Sequence, residues 1–419
     1  MRKFKNILIL AGGDSTRFWP LNDKVLFPFL GKPLINYIID QIFSYTNSIV
    51  VVSHPNNKEK VKNIFGQKVY VIAQEETNLG MAGAVLAAKD IIGNDEVLVI
   101  NGSDILDFCF LKDFIKKVEN FNQVVITAKE MKDNFPGGYL KFDDNGRLIE
   151  IVEKPKIPPS YFFKLVADYF FNLNFFLEKI INLKNKVKDD CLYEEGLNLM
   201  IKESKKTAVF YYKKDFYSLK YPWHVLVLMN YFLKKVKKNY FGKNIFISKK
   251  AIIKEPVYFS DGVRIGDYSK VVGPSFLGKN SIVADYALVN KSHIGNDCLI
   301  GGYSEVTRSY LGNRVFLHRN YVGDSVLADG VLLGAGAVLA NFRFDGYSIG
   351  SLINNKKVNT GLLKLGAIIG QESKLGINSS VLPGIKIGRK TYIGPGQLVT
   401  KDVFDNKFLF NNQLKDNHI

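Results

Sequence analysis

A short apolar run, Ile7 to Leu10, empties into Ala11-Gly12-Gly13-Asp14-Ser15-Thr16-Arg17, and Lys24 follows seven residues after Arg17. A strand that ends in a glycine-rich turn presents successive backbone N–H groups, which cradle phosphate oxygens. An arginine and a lysine just beyond can neutralise a triphosphate and a departing pyrophosphate. A glycine pair after a strand is often only a turn, but the whole string points to transfer at phosphate. Asp104 closes another apolar run, Val97–Asn101, through Gly102-Ser103. Alone, it reads equally as a turn residue and as a metal ligand. His318 is one of five histidines and, alone, reads as a surface residue.

The elements that must position these residues fall into two patterns. Over the first 220 residues or so, strand and helix patterns alternate, which implies an α/β domain. Strands are expected at Asn6–Leu10, Ser48–Ser53, Lys68–Ala73, Glu96–Asn101, Gln123–Ala128, Gly138–Phe142 and Leu148–Val152. Helices are expected at Leu34–Tyr45, Glu59–Phe65, Ala82–Ile92 and, as a linker with a basic tail, Trp223–Asn239. Beyond it the apolar period becomes six: Ile247, Ile253, Phe259, Ile265, Val271, Leu277, Val283 and Val289. The beat returns at Ile369, Leu375, Val381, Ile387, Ile393 and Val399. Six fits neither a helix nor a lone half-buried strand. It fits a triangular coil of short strands with one apolar residue per face pointing to the axis. Gly or a small polar residue beside it eases the corner. The expected division is 1–222, an α/β domain; 223–244, a linker; 245–402, a parallel β-helix; and 403–419, a loosely docked tail. Residues Phe342–Leu363 break the beat and are expected to protrude.

Composition excludes several classes. At 47% apolar and 13% aromatic residues, the 419-residue chain is globular. No apolar run reaches the roughly 18 residues that span a membrane, and the first residues lack the pattern of a signal peptide. Three scattered cysteines (Cys109, Cys191, Cys298) suggest neither disulfides nor a metal knuckle, so a reducing cytoplasm is the expected setting. The net charge of +17 lies in lysine clusters (58–62, 202–206, 213–220, 234–243) without a nucleic-acid-binding fingerprint. It suits solvated helix faces and attraction of polyanionic small molecules.

The N-terminal string resembles the sugar-1-phosphate nucleotidyltransferases, whose signature is Gly-Gly-x-Gly-Thr-Arg followed by a Lys. Its spacing and its continuation, Val25-Leu26 to Gly31-Lys32-Pro33, resemble the bacterial bifunctional N-acetylglucosamine-1-phosphate uridylyltransferases. The resemblance implies Arg17 and Lys24 as catalytic cations and Leu10, Ala11, Gly12, Gly13, Gln74 and Gly80 as nucleotide-binding residues. Gln74 would read a pyrimidine through its amide. Asp104 would hold Mg²⁺, and Gly138, Glu153, Lys154 and Asp168 would bind the sugar. Ser15 stands where the family has its last glycine. Tyr221-Pro222-Trp223 resembles the archaeal-type motif, with Ser218 where that motif has a metal-binding Asp and His224 where an acidic residue follows.

His318-Arg319-Asn320-Tyr321 resembles the acetyltransferase half of the same family, which implies His318 as the base that deprotonates the amine of glucosamine-1-phosphate. An imidazole with a pKa of about 6.5 suits that step. Tyr321, Ala335 and Asn341 match the family's acetyl-transfer residues. The resemblance runs on through Thr360-Gly361, Lys364–Gly370, Gly376-Ile377-Asn378 and Pro383-Gly384, and covers roughly residues 5–402 in its archaeal-type form. Thr307, Tyr347 and Gly350 occupy places where phosphate-binding lysines are usual. The implied architecture is a Rossmann-like nucleotidyltransferase domain followed by a left-handed β-helix of hexapeptide repeats that trimerises. The implied partners are UTP or dTTP, a sugar-1-phosphate, Mg²⁺ and acetyl-CoA. Two rivals remain. One is a glucose- or mannose-1-phosphate nucleotidyltransferase whose β-helix is only a scaffold; the other is a non-catalytic sugar-nucleotide-binding protein.

Overall fold

The structure, a computed structural model, describes residues 2–119, 124–131, 137–187, 191–203 and 207–417. Gln123, expected to open a strand, Lys205 and Lys206 of one lysine cluster, and 418–419 of the tail lie outside the described residues. The chain forms two compact units: Met1–Asp14 with Leu34–Tyr217, and Ser15–Pro33 with Ser218–Ile419. The segment Ser15–Pro33 therefore packs with the repeats, which a sequence division at 222 does not anticipate.

The first unit is built on a mixed sheet. Its order is Leu148–Glu153, Gly138–Phe142, Phe162–Phe170, Val97–Asn101, Phe4–Ala11, Thr46–Ser53, Tyr70–Ala73; Val124–Glu130 also pairs with the third strand, and Ala208–Tyr211 pairs with Val124–Glu130. Phe4–Ala11 is central and runs parallel to both neighbours. Its apolar side chains are buried on both faces, which is why it reads as a continuous hydrophobic run rather than an alternation. The expected helix Ala82–Ile92 is two helices, Gly80–Ala87 and Lys89–Ile92, hinged at Ala88. The strand Phe162–Phe170 and the helices Leu111–Val118, Leu173–Leu183 and Leu192–Glu203 were not among the expected elements, although Leu111, Phe114, Ile115 and Val118 recur at helical spacing and are buried on one face. The second of these helices is capped by Asn172, whose Oδ1 accepts from Asn174 N at 2.9 Å.

The second unit is a triangular coil of three parallel sheets with 8, 10 and 8 strands, the left-handed β-helix expected from the period of six. The residues on the beat point inward: Phe259, Ile265, Val271, Leu277, Val283 and Val289 are all 0% exposed. Small polar residues close the corners. Ser281 Oγ donates to Gly295 O at 2.7 Å and accepts from Cys298 N at 3.0 Å, joining adjacent coils. The coil continues through 290–340, where the beat was not evident. Partners Phe259, Leu277, Ile294, Leu311 and Leu327 are 18, 17, 17 and 16 residues apart, because corners there are shorter. The insertion after Asn341 carries a hairpin, Gly350–Ile353 with Lys356–Asn359, and the stack resumes where Leu327 meets Ile369.

Two expectations are corrected. The linker helix spans His224–Leu233 and stops before Asn239; Lys234, Lys235, Lys237 and Lys238 put like charges within one turn of each other. The tail is not loosely docked along its length. Lys407–Phe410 pairs in parallel with Tyr392–Ile393 and folds back on Gln413–Asp416, and Leu409 packs on the axial core. Among the described residues, no helix is long and apolar enough to cross a membrane.

Candidate functional site

In the first unit, Phe4–Ala11 delivers Gly12 and Gly13 at its carboxyl end, the edge where ligands bind in open α/β sheets. Gln74 is buried against this turn. Its Nε2 donates to Gly80 O at 2.7 Å and to Glu76 O at 3.1 Å. A Cβ at Gly12 would sit 1.9 Å from Gln74 Oε1, and one at Gly83 would sit 2.9 Å from its Nε2. Two glycines thus clasp the amide with its nitrogen side committed. Gly12→Ala must expel Gln74 from this clasp and break hydrogen bonds worth roughly 1 kcal/mol each, or more if the groups stay buried. The expected result is a KM for the nucleoside triphosphate raised about tenfold or more, with the melting temperature lowered by roughly a few degrees. Steady-state kinetics of pyrophosphate release would check it.

Beside this turn, Gly102 N donates to Leu10 O at 2.9 Å. Asn101 Oδ1 accepts from both Ser103 N and Ser103 Oγ at 3.0 Å. This braced bend leads directly into buried Asp104, at the head of the strand Asp104–Leu106. Among the described residues, no three His, Cys, Asp or Glu side chains gather as a metal cage. Mg²⁺ is commonly held by one or two carboxylates together with substrate phosphates and water. Asp104 fits such a role; the donor set does not suit a metal that needs an all-protein cage.

The residues expected to bind the sugar also lie in the first unit. Gly138 pairs with Glu153 across two antiparallel strands, and a Cβ there would lie 3.1 Å from Glu153 Oε2. Lys154, at φ 49°, bonds Gly137 O through its backbone N and reaches Glu153 with its ammonium at 3.4 Å. Asp168 is placed otherwise than expected. It is 0% exposed, and its Oδ2 takes bonds from Lys164 Nζ at 2.7 Å and Tyr193 OH at 2.8 Å. It is buried in this structure and ties Lys164 to Tyr193. Burial raises its pKa against the pull of Lys164, and burial likewise pushes Tyr193 well up.

Sequence reasoning missed Lys164, Tyr193 and Glu194. Residues four apart on a regular strand are roughly 13 Å apart, so Lys164 and Asp168 should not meet. The pairing with Val124–Glu130 slips between Leu165 and Tyr169, and that irregularity brings them together. Glu194 joins them from the helix Leu192–Glu203, and burial pushes its carboxyl up to about 7, helped by Glu153 and Asp168 and opposed by Lys164. In the unfolded chain a glutamate titrates near ~4.3. Between those values the folded chain keeps a proton that the unfolded chain has released. Stability therefore falls as pH rises through this window and stays low above it. Glu194→Gln should remove that fall, with a stability gain that grows from pH 5 to pH 8 toward roughly 3 kcal/mol. Thermal unfolding at both pH values checks this; an equal shift at each would contradict it.

Arg17 and Lys24 belong by packing to the second unit. They sit in one-turn helices, Thr16–Phe18 and Lys24–Leu26, each entered through a left-handed residue: Ser15 at φ 56° and Asp23 at φ 44°. Ser15 thus adopts a conformation that a glycine would take without strain. Ser218 turns its carbonyl to His224, whose Nδ1–H donates to it at 2.7 Å. His224 is neutral, its pKa lowered to about 4 by burial.

On the β-helix, the corner 318–320 exposes His318, whose backbone N donates to Asn320 Oδ1 at 2.5 Å. Tyr321 and Asn341 converge: a Cβ on Gly323 would lie 2.5 Å from Asn341 Nδ2 and 2.6 Å from Tyr321 OH. Asp324, which sequence reasoning did not weigh, organises the group. It accepts from Asn341 Nδ2 at 2.6 Å and grips Arg308 at 2.7 Å (Nε) and 2.6 Å (Nη2). The guanidinium next to Thr307 is therefore already paired. Ala335 and Tyr347 are exposed, and the methylenes of Lys357 pack over Gly350.

A family model described as nucleotidyl transferase matches residues 6–223. A bifunctional sugar-1-phosphate nucleotidylyltransferase/acetyltransferase from Sulfurisphaera tokodaii is 32% identical over 96% of this chain and 98% of its own length. Two proteins named bifunctional protein GlmU, from Methanococcus vannielii and Methanocaldococcus jannaschii, are each 30% identical over 96% of this chain and 97% of their own.

Proposed function

Since the chain belongs to the nucleotidyl transferase family and, along nearly its whole length, to the bifunctional nucleotidylyltransferase/acetyltransferases, we propose that it joins a sugar-1-phosphate to a pyrimidine nucleotide. A phosphate oxygen of the sugar-1-phosphate attacks the α-phosphorus of UTP or dTTP, and pyrophosphate leaves. The observation that carries this is the convergence at the end of Phe4–Ala11: the Gly12–Gln74 clasp, the Gly102 bond to Leu10 O, and Asp104 two residues on. With Nε2 committed, Gln74 has only an acceptor left to offer, which suits the N3–H of uracil or thymine.

Backbone N–H groups of Gly12 and Gly13 receive phosphate oxygens, and Arg17 and Lys24 offset the charge that grows on the departing pyrophosphate. Gly138, Glu153 and Lys154 orient the sugar phosphate for in-line attack, so that positioning supplies much of the rate. Mg²⁺ held by Asp104 would supply charge neutralisation between the phosphates. N-acetylglucosamine-1-phosphate is the proposed sugar substrate. The β-helix half is proposed to assemble as a homotrimer and to acetylate an amino-sugar phosphate from acetyl-CoA, with His318 as base and Tyr321, Ala335 and Asn341 around the reacting groups.

A second possibility is favoured by one observation: Asp324 already neutralises Arg308, leaving an anionic acceptor less well served. In that case only the first half is active, on glucose- or mannose-1-phosphate, and the β-helix is a scaffold. A screen of nucleoside triphosphates against sugar-1-phosphates with Mg²⁺ tests the main proposal. Pyrophosphate release that needs both substrates and metal is expected; none from any pair would refute it.

A further inference from the structure

The loop Ser15–Pro33 has almost no regular structure of its own. It contains two one-turn helices and a two-residue ladder, Pro28–Phe29 with Lys32–Pro33. Its Ser15, Asp23 and Leu30 hold a left-handed backbone conformation that L-residues rarely adopt. Such a loop holds Arg17 and Lys24 in place only if something outside it does so.

The β-helix grips it at two places. Near the last coils, Trp19 Nε1 donates to Asp405 Oδ1 at 2.8 Å, and the indole lies 5.3 Å from the Phe404 ring. Arg389 is held by Asp405 through its Nε at 2.9 Å and its Nη2, and passes Nη1 to Asn22 Oδ1 at 2.8 Å. Asp405 therefore reaches the loop twice, directly through Trp19 and through Arg389. Buried Lys386 lies over the Trp19 ring at 5.0 Å while pairing with Asp402 at 3.0 Å and donating to Leu352 O in the insertion hairpin. Further along, Tyr310 OH donates to Pro28 O at 2.8 Å, and the Phe27 ring lies 4.9 Å from that of Tyr310. Phe29, 0% exposed, packs on Phe232 at 5.1 Å.

We propose, resting on the nucleotidyl-transfer function above, that Trp19, Arg389 and Asp405 are positioning residues for that reaction, through which the last coils of the β-helix hold the loop bearing Arg17 and Lys24. The indole packs against Phe404 and Lys386, and the Asp405–Arg389 pair holds the loop on either side of Pro20, at Trp19 and at Asn22. A displacement of about 1 Å in a charge-stabilising group costs up to a hundredfold in rate. Loss of the anchor therefore acts on kcat, through the cations that meet the departing pyrophosphate, more than on the KM for the sugar phosphate.

The test uses the full-length chain, with UTP, Mg²⁺ and the best sugar-1-phosphate from the screen. Trp19→Ala and Asp405→Ala are expected to lower kcat by roughly ten- to a hundredfold with little change in the sugar-phosphate KM. Trp19→Phe, which keeps a ring against Phe404 and Lys386, should recover most of the loss. A readout independent of activity comes from emission. The chain has two tryptophans, so a Trp223→Phe background leaves Trp19 alone, and adding Asp405→Ala should shift its emission to the red and open it to acrylamide quenching. Wild-type kcat in both alanine variants overturns the proposal and leaves nucleotidyl transfer standing. So does a loss that Trp19→Phe fails to restore and that follows a lowered melting temperature. If the wild-type chain releases no pyrophosphate with any substrate pair, the function itself has failed and the positioning role falls with it; unchanged Trp19 emission in the Asp405→Ala variant refutes the anchor on its own.

Discussion

Replacing Asp104 with alanine lowers the rate of pyrophosphate release by roughly a hundred- to a thousandfold, with the fold intact. The magnitude follows from what the carboxylate is asked to do. A metal shared by the phosphates needs a fixed anionic ligand, and the bend before Asp104 is braced by three hydrogen bonds. Gly102 is tied to Leu10 O, and Ser103 is tied twice to Asn101 Oδ1. Rigid support of this kind fixes the carboxylate within the tolerance that in-line phosphoryl chemistry needs. Asp104→Asn separates charge from shape: it keeps the size of the side chain and loses the anion. If the role is metal binding, Asn should be nearly as damaging as Ala, and both should show a raised Mg²⁺ requirement. Wild-type turnover in either variant would remove Asp104 from the metal site. A drop in rate with an unchanged Mg²⁺ requirement would point instead to a structural role.

What the sequence could disclose depended on whether a residue's constraint was local. The β-helix announces itself because each face must turn one side chain to the axis, so the period survives every change of residue type. It fades between 290 and 340 because corners there lose a residue, turning coils of 18 into coils of 17 and 16. The Gly12–Gly13 turn and the strand before Asp104 were legible because chain order places them at strand ends. The Lys164–Asp168 pair was not, since it depends on a slip in strand pairing that leaves no mark on the residues themselves. Asp168 itself illustrates the point: a carboxylate among motifs reads as a ligand, and its burial and its bonds to Lys164 and Tyr193 show only in three dimensions. Trp19 and Asp405 are 386 positions apart, and nothing in either neighbourhood signals the other. Asp324 was passed over because an aspartate at a β-helix corner is ordinary until its neighbours Arg308 and Asn341 are seen.

The second large effect concerns the β-helix. His318→Ala should reduce acetyl-CoA-dependent acetylation by roughly 10²–10⁴-fold, the usual contribution of a general base. His318 stands exposed at its corner, while Tyr321 OH and Asn341 Nδ2 meet over Gly323, so the base has access to an incoming amine and the flanking groups are preset. Binding of the acceptor is the weaker half. Each charge-assisted bond to a phosphate is worth roughly 1.5–3 kcal/mol, or about tenfold or more in KM. Thr307, Tyr347 and Gly350 provide no such cation, and Arg308 is gripped by Asp324 through two bonds. A phosphorylated amino sugar is therefore expected to react with a poor KM. Asp324→Asn weakens the grip and leaves Arg308 with an unneutralised charge, so the KM for the phosphorylated acceptor should fall, while that for an uncharged amino sugar should not. Asn341 keeps a partner in this variant, since the new amide still offers an oxygen. Thiol release from acetyl-CoA across a panel of amino sugars, with and without phosphate, reads all of these effects. If no acceptor gives a signal above His318→Ala, this half of the chain does not acetylate. If Asp324→Asn moves both acceptor classes alike, Arg308 is not the cation that limits binding.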